Sequence, residues 1–268
     1  MGIELFLGTV FVLLVTATVI VVRQRMSLWN RERSDWFVDL LGLFIQGTLV
    51  PLFQVLFVFK FLDWLLPDFK GVWELNLLQA FLLNFVVVDY LYYWNHRLLH
   101  SPVLWAWHKV HHESKAFDVL MTSRNSILSS FLIVYVWING LNLFLLKDAS
   151  GYAWGLALTA ALDMWRHTTL IKNTRSRWYR ILGLVFVMPH HHSWHHSGRP
   201  HAIYGANFNI WDRLHSTFKK VQDYSHSHGI PTRLSLVNKL FFPYHVNLRK
   251  GLRAHASRAK YAKVQSTR

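Results

Sequence analysis

The sequence predicts an all-α membrane protein with four to five transmembrane helices and a cytoplasmic helical cap that holds a histidine-rich dimetal site. Two observations support this fold class. Hydrophobic residues make up 52% of the 268 residues and charged residues 16%, whereas an ordinary soluble domain has about 25% charged residues. In addition, the chain contains 17 histidines, many of them in clusters at or beyond the ends of apolar stretches.

The first apolar stretch, residues 5–22, contains no charged residue and is long enough to cross a hydrocarbon core of about 30 Å. A secretory signal peptide is the alternative, but its N-terminal region should be basic, and here Glu4 precedes the stretch. We therefore expect an uncleaved span in a first region, 1–36. A basic cytoplasmic linker completes this region, with Arg23, Arg25, Arg31 and Arg33.

Four further apolar stretches follow, at 37–62, 75–94, 127–146 and 152–165. Pro51 is expected to kink the first of them, because proline removes an intrahelical hydrogen bond. The last is short for a span and is either a tilted half of a hairpin or a buried helix. The arginine cluster marks the cytoplasmic side. This orientation places the histidine clusters and the C-terminus on the cytoplasmic side of an integral, multi-pass membrane protein.

Positive charge is concentrated in the second part of the chain. Residues 165–268 contain 18 Lys and Arg but two acids, within a net charge of +15. Nucleic acid and an anionic membrane face both attract such a segment. Because the predicted topology already places it on the cytoplasmic face, we expect the membrane as partner and no nucleic acid. Residues 219–268 are predicted to form a basic cytoplasmic tail that metal binding does not require.

Spacing singles out nine histidines. Positions i, i+3 and i+4 share one face of a helix, and two HxxHH motifs, one HxxxH motif and one isolated histidine fit a common site. In chain order we call the motifs the first histidine box (residues 96–100), the second (108–112) and the third (192–196). Nine imidazoles exceed the needs of one zinc site and suit Zn, Cu, Fe or Ni. Two metal ions are therefore predicted, bound by His96, His100, His108, His111, His112, His167, His192, His195 and His196. The neighbouring His190 and His191 fall outside the spacing and are not expected to bind metal.

Several other chemistries are excluded. The absence of cysteine rules out thiolate zinc sites, iron–sulfur clusters and cysteine nucleophiles. The hydrolytic HExxH motif fails because Ala116 stands where its second histidine belongs. A membrane metal-binding or transport protein without oxygenase activity remains the alternative, although its ligands should lie near the middle of the membrane.

Two aspartates are candidate catalytic residues. Asp89 precedes His96 by seven residues, and Asp163 precedes His167 by four. Each is expected to accept the second ring N–H of a ligand histidine. The alternative for both is an ordinary interfacial acid or an arginine partner. Four tryptophans are expected to form an interfacial belt, namely Trp105, Trp107, Trp165 and Trp178.

Two long blocks resemble the fatty acid hydroxylase/sterol desaturase superfamily of integral-membrane enzymes. They are DYLYYWNHRLLHSPVLWAWHKVHH at 89–112 and PHHHSWHHSGRPHAIYGANFNIWDRLHSTF at 189–218, and His167 stands where the family has an isolated histidine. The resemblance implies a membrane di-iron domain over 37–218 with two iron ions. Near the second block, His201 and Ile203 replace an acid and an amide of the family pattern, so the substrate stays open.

The resemblance also implies an activity. It is O2-dependent hydroxylation or desaturation of C–H bonds in a lipid, such as a fatty acyl chain, a sterol or a related isoprenoid, and hydroxylation is the simpler outcome. Since no haem or iron–sulfur motif is visible, an electron-transfer protein, ferredoxin-like or cytochrome b5-like, is expected as external electron donor.

Overall fold

The computed structural model describes residues 2–21, 28–171, 173–198 and 201–243. Over these ranges the chain is helical, as predicted, and its β-structure is limited to two isolated bridges, Trp73 with Leu146 and Phe186 with Phe208. Three long helices are α1 (Gly2–Ile20), α2 (Arg33–Leu65) and α3 (Leu77–Leu99). The shorter helices are α4 (Trp105–His108), α5 (Val134–Leu145), α6 (Ser150–Arg166), α7 (Arg177–Leu182), α8 (Pro189–His195), α9 (Ile210–Leu214) and α10 (Leu236–Leu240). Single 3-10 turns occur at Pro67–Phe69, His111–Glu113, Val119–Met121 and Leu128–Leu132.

Three helices, α1, α2 and α3, are long and apolar enough to cross a membrane within the described ranges. The sequence predicted four to five. The stretch 127–146 differs from the expectation because Ile133 is extended, with φ −75° and ψ 124°, and divides a 3-10 turn from α5. With 12 residues, α5 is about 18 Å long, short of a core of about 30 Å. Pro51 lies in a short α-helical turn of α2 between two π-helical segments, Ile45–Leu49 and Gln54–Phe59.

The two intermediate helices pack against the long ones. α5 contacts α2, and α6 contacts both α1 and α3. Close approach of α6 to α3 depends on Gly151 and Gly155, which lie one turn apart. A Cβ atom at Gly151 would collide with the Leu77 carbonyl, and one at Gly155 would lie 2.9 Å from Asn84 Cβ. Small residues at this spacing are the usual means of close helix packing in membranes.

Arg31 is not a solvated linker charge. Its buried guanidinium binds both carboxylate oxygens of Asp118, at 2.7 and 2.8 Å, and lies 3.4 Å from Asp39. Arg124 in turn binds Asp39 at 2.8 Å and Asp35 at 2.6 Å. Hydrogen bonds between charged groups are stronger than neutral ones, so these contacts fix the start of α2 against the segment that follows the second histidine box. Arg23 and Arg25 lie outside the described residues.

The segment after residue 218 differs from the predicted tail, because residues 223–232, which we call the strap, lie across the histidine boxes. The amide of Gly229 donates to the His196 carbonyl at 3.3 Å, and that of Ile230 donates to the His112 carbonyl at 3.0 Å. Farther on, Lys239 pairs with Glu113 at 2.9 Å. A tail boundary at 219 therefore cuts through packed structure. His245, His255 and the rest of 244–268 lie outside the described residues.

Substitution of Gly229 tests whether the strap stabilises the histidine boxes. It has φ +81°, and an added Cβ would lie 2.7 Å from the Glu113 carbonyl oxygen and 2.8 Å from that of Ser114. Gly198 is a matched control, since its φ is +80° with nothing within 4 Å of the added Cβ. Both alanine variants incur left-handed strain of about 1–2 kcal/mol. We expect Gly229→Ala to lower the thermal unfolding temperature and metal retention beyond Gly198→Ala; equal effects would mean that the strap does not brace the boxes.

Candidate metal centre

The structure brings all nine predicted ligand histidines together, in two adjacent groups. Within each group the candidate ligand nitrogens all lie within 4.8 Å of one another. We call group 1 the five residues His96, His100, His108, His112 and His195, and group 2 the four residues His111, His167, His192 and His196. All nine are buried. The groups adjoin, since the rings of His112 and His196 stack with centroids 4.5 Å apart.

Each HxxHH motif is divided between the two groups. In the second box, His108 and His112 belong to group 1 while His111 belongs to group 2. In the third box, the division is reversed, because His195 belongs to group 1. Successive residues of an α-helix point about 100° apart, so the i+3 and i+4 side chains of one short helix can reach different centres. Each of the two boxes therefore contributes side chains to both groups.

Local structure places these side chains. His96 lies in the last turn of α3, and His100 caps its C-terminus. His108 ends α4, and His111 and His112 begin the following 3-10 turn. The third box occupies α8, whose N-terminus begins with Pro189, a residue suited to the first helical turn because it lacks an N–H. His167 caps the C-terminus of α6.

Nitrogen separations match shared metal coordination. In group 1, His96 Nε2 lies 3.1 Å from His108 Nε2 and 3.1 Å from His195 Nε2. In group 2, His192 Nε2 lies 3.0 Å from His167 Nε2 and 3.1 Å from His196 Nε2. Two imidazole nitrogens that bind one ion at about 2.1 Å and at right angles are about 3 Å apart.

Backbone carbonyls fix the tautomer of four rings. Nδ1 of His96 lies 2.8 Å from the Tyr204 carbonyl oxygen, and Nδ1 of His195 lies 3.0 Å from that of Ala202. In group 2, His111 and His167 contact the carbonyls of Arg124 and Asp163 in the same way, at 3.1 and 2.8 Å. Because a carbonyl only accepts, each Nδ1 carries the proton. The Nε2 lone pair of each neutral ring is then free to face the centre of its group.

Two inward lone pairs 3.1 Å apart, on His96 and His195, repel each other unless a cation lies between them. A proton is disfavoured in this role, because burial, followed by the neighbouring imidazoles, holds the pKa of His195 well below its usual value. The same causes hold the pKa well below normal for His100, His108, His111, His112, His192 and His196. Neutral imidazoles are the form that binds metal, so the donor set fits transition-metal ions.

The loop 202–209 carries two of the orienting carbonyls, and buried aspartates hold it. Asp212 accepts hydrogen bonds from the amides of Tyr204 and Gly205, both at 2.8 Å. Burial raises the pKa of Asp212, and the hydrogen bonds to Thr217 and to loop amides oppose that rise. Sequence reasoning did not assign Asp212 a role, and its place in the WDRL block was the available signal.

Asp89 holds the other half of this loop. It accepts hydrogen bonds from the amides of Asn207 and Phe208, at 2.7 and 3.2 Å, and from Trp211 Nε1 at 2.8 Å. The prediction that Asp89 accepts a ring N–H from a ligand histidine is therefore replaced by an indirect connection through the loop. Asp89 supports the segment whose carbonyls orient His96 and His195.

Asp163 contacts His167 through its backbone. The carbonyl oxygen lies 2.8 Å from His167 Nδ1, whereas the carboxylate lies 3.7 Å away and pairs with Arg166 at 3.1 Å. The expected carboxylate acceptor is thus a carbonyl acceptor, which any residue at this position would supply.

Backbone strain lies between the two loop carbonyls. Ile203 has φ +62°, a conformation that is an outlier for a β-branched residue. Strain of this kind costs about 1–3 kcal/mol and persists only when the surroundings enforce it. Here the hydrogen bonds on both sides of Ile203 enforce it, which sets Ala202 and Tyr204 at the angles that the two rings require.

His190 and His191 lie outside both groups, although they are buried. His190 Nδ1 contacts the Tyr179 hydroxyl at 3.1 Å, and His191 Nδ1 accepts the Met188 amide at 3.2 Å. Burial lowers the pKa of His191 to about 3. Trp105 departs from the predicted interfacial belt, because its ring lies against those of His100 and His112, with centroids 5.1 and 5.3 Å apart.

A pair of isosteric variants tests how the aspartates act. In Asp212→Asn, one carboxylate oxygen is replaced by an NH2 group, which cannot accept the hydrogen bond of the backbone N–H that it faces. The N–H left without an acceptor costs about 1–3 kcal/mol of stability. Asp163→Asn keeps the carbonyl that orients His167. We expect Asp212→Asn to lose metal faster than Asp163→Asn in a chelator challenge followed by metal analysis. Equal rates of metal loss in the two variants would show that the hydrogen bonds between Asp212 and the loop do not orient His96.

Comparison with known proteins agrees with this geometry. The fatty acid hydroxylase family model matches residues 81–217, which include all nine histidines. Alkylglycerol monooxygenase from Danio rerio is 34% identical over 170 residues, 60% of this chain and 36% of that protein. The human alkylglycerol monooxygenase is 32% identical over 155 residues, 55% of this chain and 33% of that protein. The ornithine lipid hydroxylase OlsE from Rhizobium tropici is 30% identical over 141 residues, 51% of this chain and 40% of that protein.

The matched region spans about a third of the length of the alkylglycerol monooxygenases. No solved structure shows a significant match to the chain. The family match covers half of the sequence and contains the complete histidine constellation. This chain belongs to the fatty acid hydroxylase family.

Proposed function

We propose that this protein is an integral-membrane, O2-dependent lipid hydroxylase that binds two iron ions, one in each histidine group. The observation that carries the proposal is the set of nine buried imidazoles, in which five pairs of ring nitrogens lie 3.0–3.2 Å apart and backbone carbonyls fix the tautomers of four rings. Relatives named as a monooxygenase and a hydroxylase support oxygenation rather than metal storage or transport.

Each part of the site has a separate task. Bound iron would supply the activation of O2 and the oxidation of an unactivated C–H bond. The nine histidines bind and separate the two ions, and burial excludes water from them. The loop 202–209, held by Asp89 and Asp212, keeps the lone pairs of His96 and His195 aimed inward. On this view Asp89 and Asp163 position ligands and do not touch the substrate.

The substrate class follows from the membrane setting and the relatives. Alkylglycerols and ornithine lipids, named in the relatives, share a polar head and a long alkyl chain, so we propose a lipid of this kind. Hydroxylation consumes one O2, two electrons and two protons for each C–H bond converted to C–OH, with release of water. We propose that an external electron-transfer protein, ferredoxin-like or cytochrome b5-like, supplies the electrons, because the sequence shows no haem or iron–sulfur motif.

Two further elements of the proposal concern organisation. The histidine groups and the following chain are proposed to face the cytoplasm, since the arginine cluster follows the first span. The functional domain is proposed to extend from residue 37 through the strap to about 243, because the strap and Lys239 contact the histidine boxes.

The direct test uses the full-length protein in lipid nanodiscs. We expect about two iron ions per chain by elemental analysis and, with a reductant and O2, a product 16 Da heavier than its lipid substrate, since one oxygen atom is inserted. Lipids from cells with and without the gene would supply candidate substrates. Iron binding without any O2-dependent product would favour the metal-binding alternative, and a loss of 2 Da would indicate desaturation.

Adjacent histidines provide the sharpest mutational contrast. His192→Ala removes a group 2 ligand, so we expect loss of iron and a fall in kcat above about 100-fold, beyond the 10- to 100-fold typical of groups that only orient a ligand. His191→Ala removes the acceptor of the Met188 amide, which should cost about 1 kcal/mol of stability and leave the iron content unchanged. Equal iron loss in the two variants would contradict the ligand assignment.

A further inference from the structure

An exposed apolar patch is formed by two segments of the chain, one before and one after the third histidine box. The side chains of Trp178, Leu184 and Leu214 are 74%, 59% and 65% exposed. We call this the leaflet patch; its other members are Ile181, Leu182, Val185 and Ile210. Soluble surfaces rarely carry a contiguous apolar area of this kind without a function. The patch is contributed by α7, the turn that follows it, and α9.

A row of aromatic rings fixes the depth of the patch relative to α3. Phe186, just after the patch residue Val185, lies 5.3 Å from Phe208 between ring centroids, and Phe208 lies 5.3 Å from Phe85 of α3. Phe85 precedes the end of α3 at Leu99 by 14 residues, roughly 20 Å along the axis. The leaflet patch therefore lies beside the membrane-spanning part of α3 and not beyond its end.

The patch is also continuous with the lipid-facing side of α3. Tyr90 packs on Trp211 of α9 with centroids 4.8 Å apart, and His215 packs on Trp94 at 4.7 Å. Helical spacing places Tyr90 on one face with Val87 and Trp94, and those two side chains are 49% and 43% exposed. Exposed apolar surface on α3 thus adjoins α9 through these aromatic contacts.

Charge at the patch is basic. Arg177 and Arg180 are exposed on α7 next to Trp178 and Ile181. Exposed Arg213 on α9 and Lys219 after it add to this positive charge. Arginine, tryptophan and aliphatic side chains on one short segment are the composition of structures that lie in the membrane interface, where anionic headgroups attract the basic residues.

We infer that α7, the turn at 183–185 and α9 are immersed in one leaflet of the bilayer beside α3, with Arg177 and Arg180 at the level of anionic headgroups. α7 and the turn lie along the chain between His167 and His192, both in group 2, and α9 follows the third box. On the basis of the proposed function, the lipid substrate then approaches the histidine groups from this leaflet.

The absence of cysteine from the chain allows the inference to be tested with single spin labels. Labels at Leu184→Cys and Leu214→Cys are compared with Val87→Cys, on the exposed face of α3, and with Gln222→Cys, which is exposed beyond the patch. The protein is placed in nanodiscs of phosphatidylcholine with or without phosphatidylglycerol. Collision rates are measured with O2, which concentrates in hydrocarbon, and with a water-soluble nickel chelate.

We expect the labels at Leu184→Cys and Leu214→Cys to give the same collision rates as the label at Val87→Cys. Compared with the label at Gln222→Cys, they should collide more often with O2 and less often with the nickel chelate. Phosphatidylglycerol should increase this shift, and Arg177→Gln combined with Arg180→Gln should remove the increase. Patch labels that match Gln222 would overturn the inference. Dipolar broadening that disappears on dilution with unlabelled protein would also overturn it, because a second copy would then cover the patch.

Iron content and lipid oxidation are measured on the same labelled proteins. Immersed labels in a protein that binds no iron would support the leaflet patch and contradict the proposed function. Water-exposed labels in an active protein that binds two iron ions would contradict immersion of the leaflet patch and support the proposed function.

Discussion

Nine buried imidazoles, gathered in two adjacent groups whose candidate ligand nitrogens lie within 4.8 Å of one another, are the constraint on which the rest of this structure depends. Uncharged rings in such an arrangement have few hydrogen-bond partners among themselves, and inward lone pairs repel. Cations between the inward nitrogens would remove this repulsion. Four of the nine rings are also held from outside through their Nδ1 atoms, as is common for metal-binding histidines.

Backbone carbonyls provide this outer support for His96, His111, His167 and His195. A carbonyl leaves the ring neutral and adds no charge, whereas a carboxylate would increase the negative character of a buried site. Charged side chains act indirectly, through the loop that carries two of these carbonyls. Asp89 and Asp212 hold the loop 202–209, and the strain at Ile203 is a cost of placing the orienting carbonyls of Ala202 and Tyr204 on either side of it in one short turn.

Long-range contacts connect the site to the membrane helices. Arg124 orients His111 through its carbonyl and binds Asp35 and Asp39 at the start of α2 through its guanidinium. Buried ion pairs are weak evidence for stability, but removal of one partner is costly because it leaves an uncompensated charge. The network therefore restricts how α2, the second box and Lys239 can be arranged, so the geometry of group 2 is coupled to the packing of a membrane span.

Much of this protein could be predicted from sequence because its strongest signals are local. Apolar length indicated the three long helices, and spacing together with family resemblance singled out nine histidines that the structure brings together. His192 could be separated from His190 and His191 for the same reason, since i, i+3, i+4 periodicity is a property of one helix. Local patterns also misled: the stretch 127–146 looked like one span although it breaks at Ile133.

Tertiary structure alone decided how these local elements combine. The division of each HxxHH motif between two groups depends on the positions of α3, α4, α6 and α8 relative to one another, and no spacing within one segment encodes it. The same holds for Asp89, whose partners lie more than a hundred residues away, and for the strap, which was expected to belong to a basic cytoplasmic tail. The sequence by itself determined which side chains are candidate metal ligands, because that depends on residue type and period; the tertiary structure determined which of the two groups each side chain joins, because that depends on contacts between distant segments.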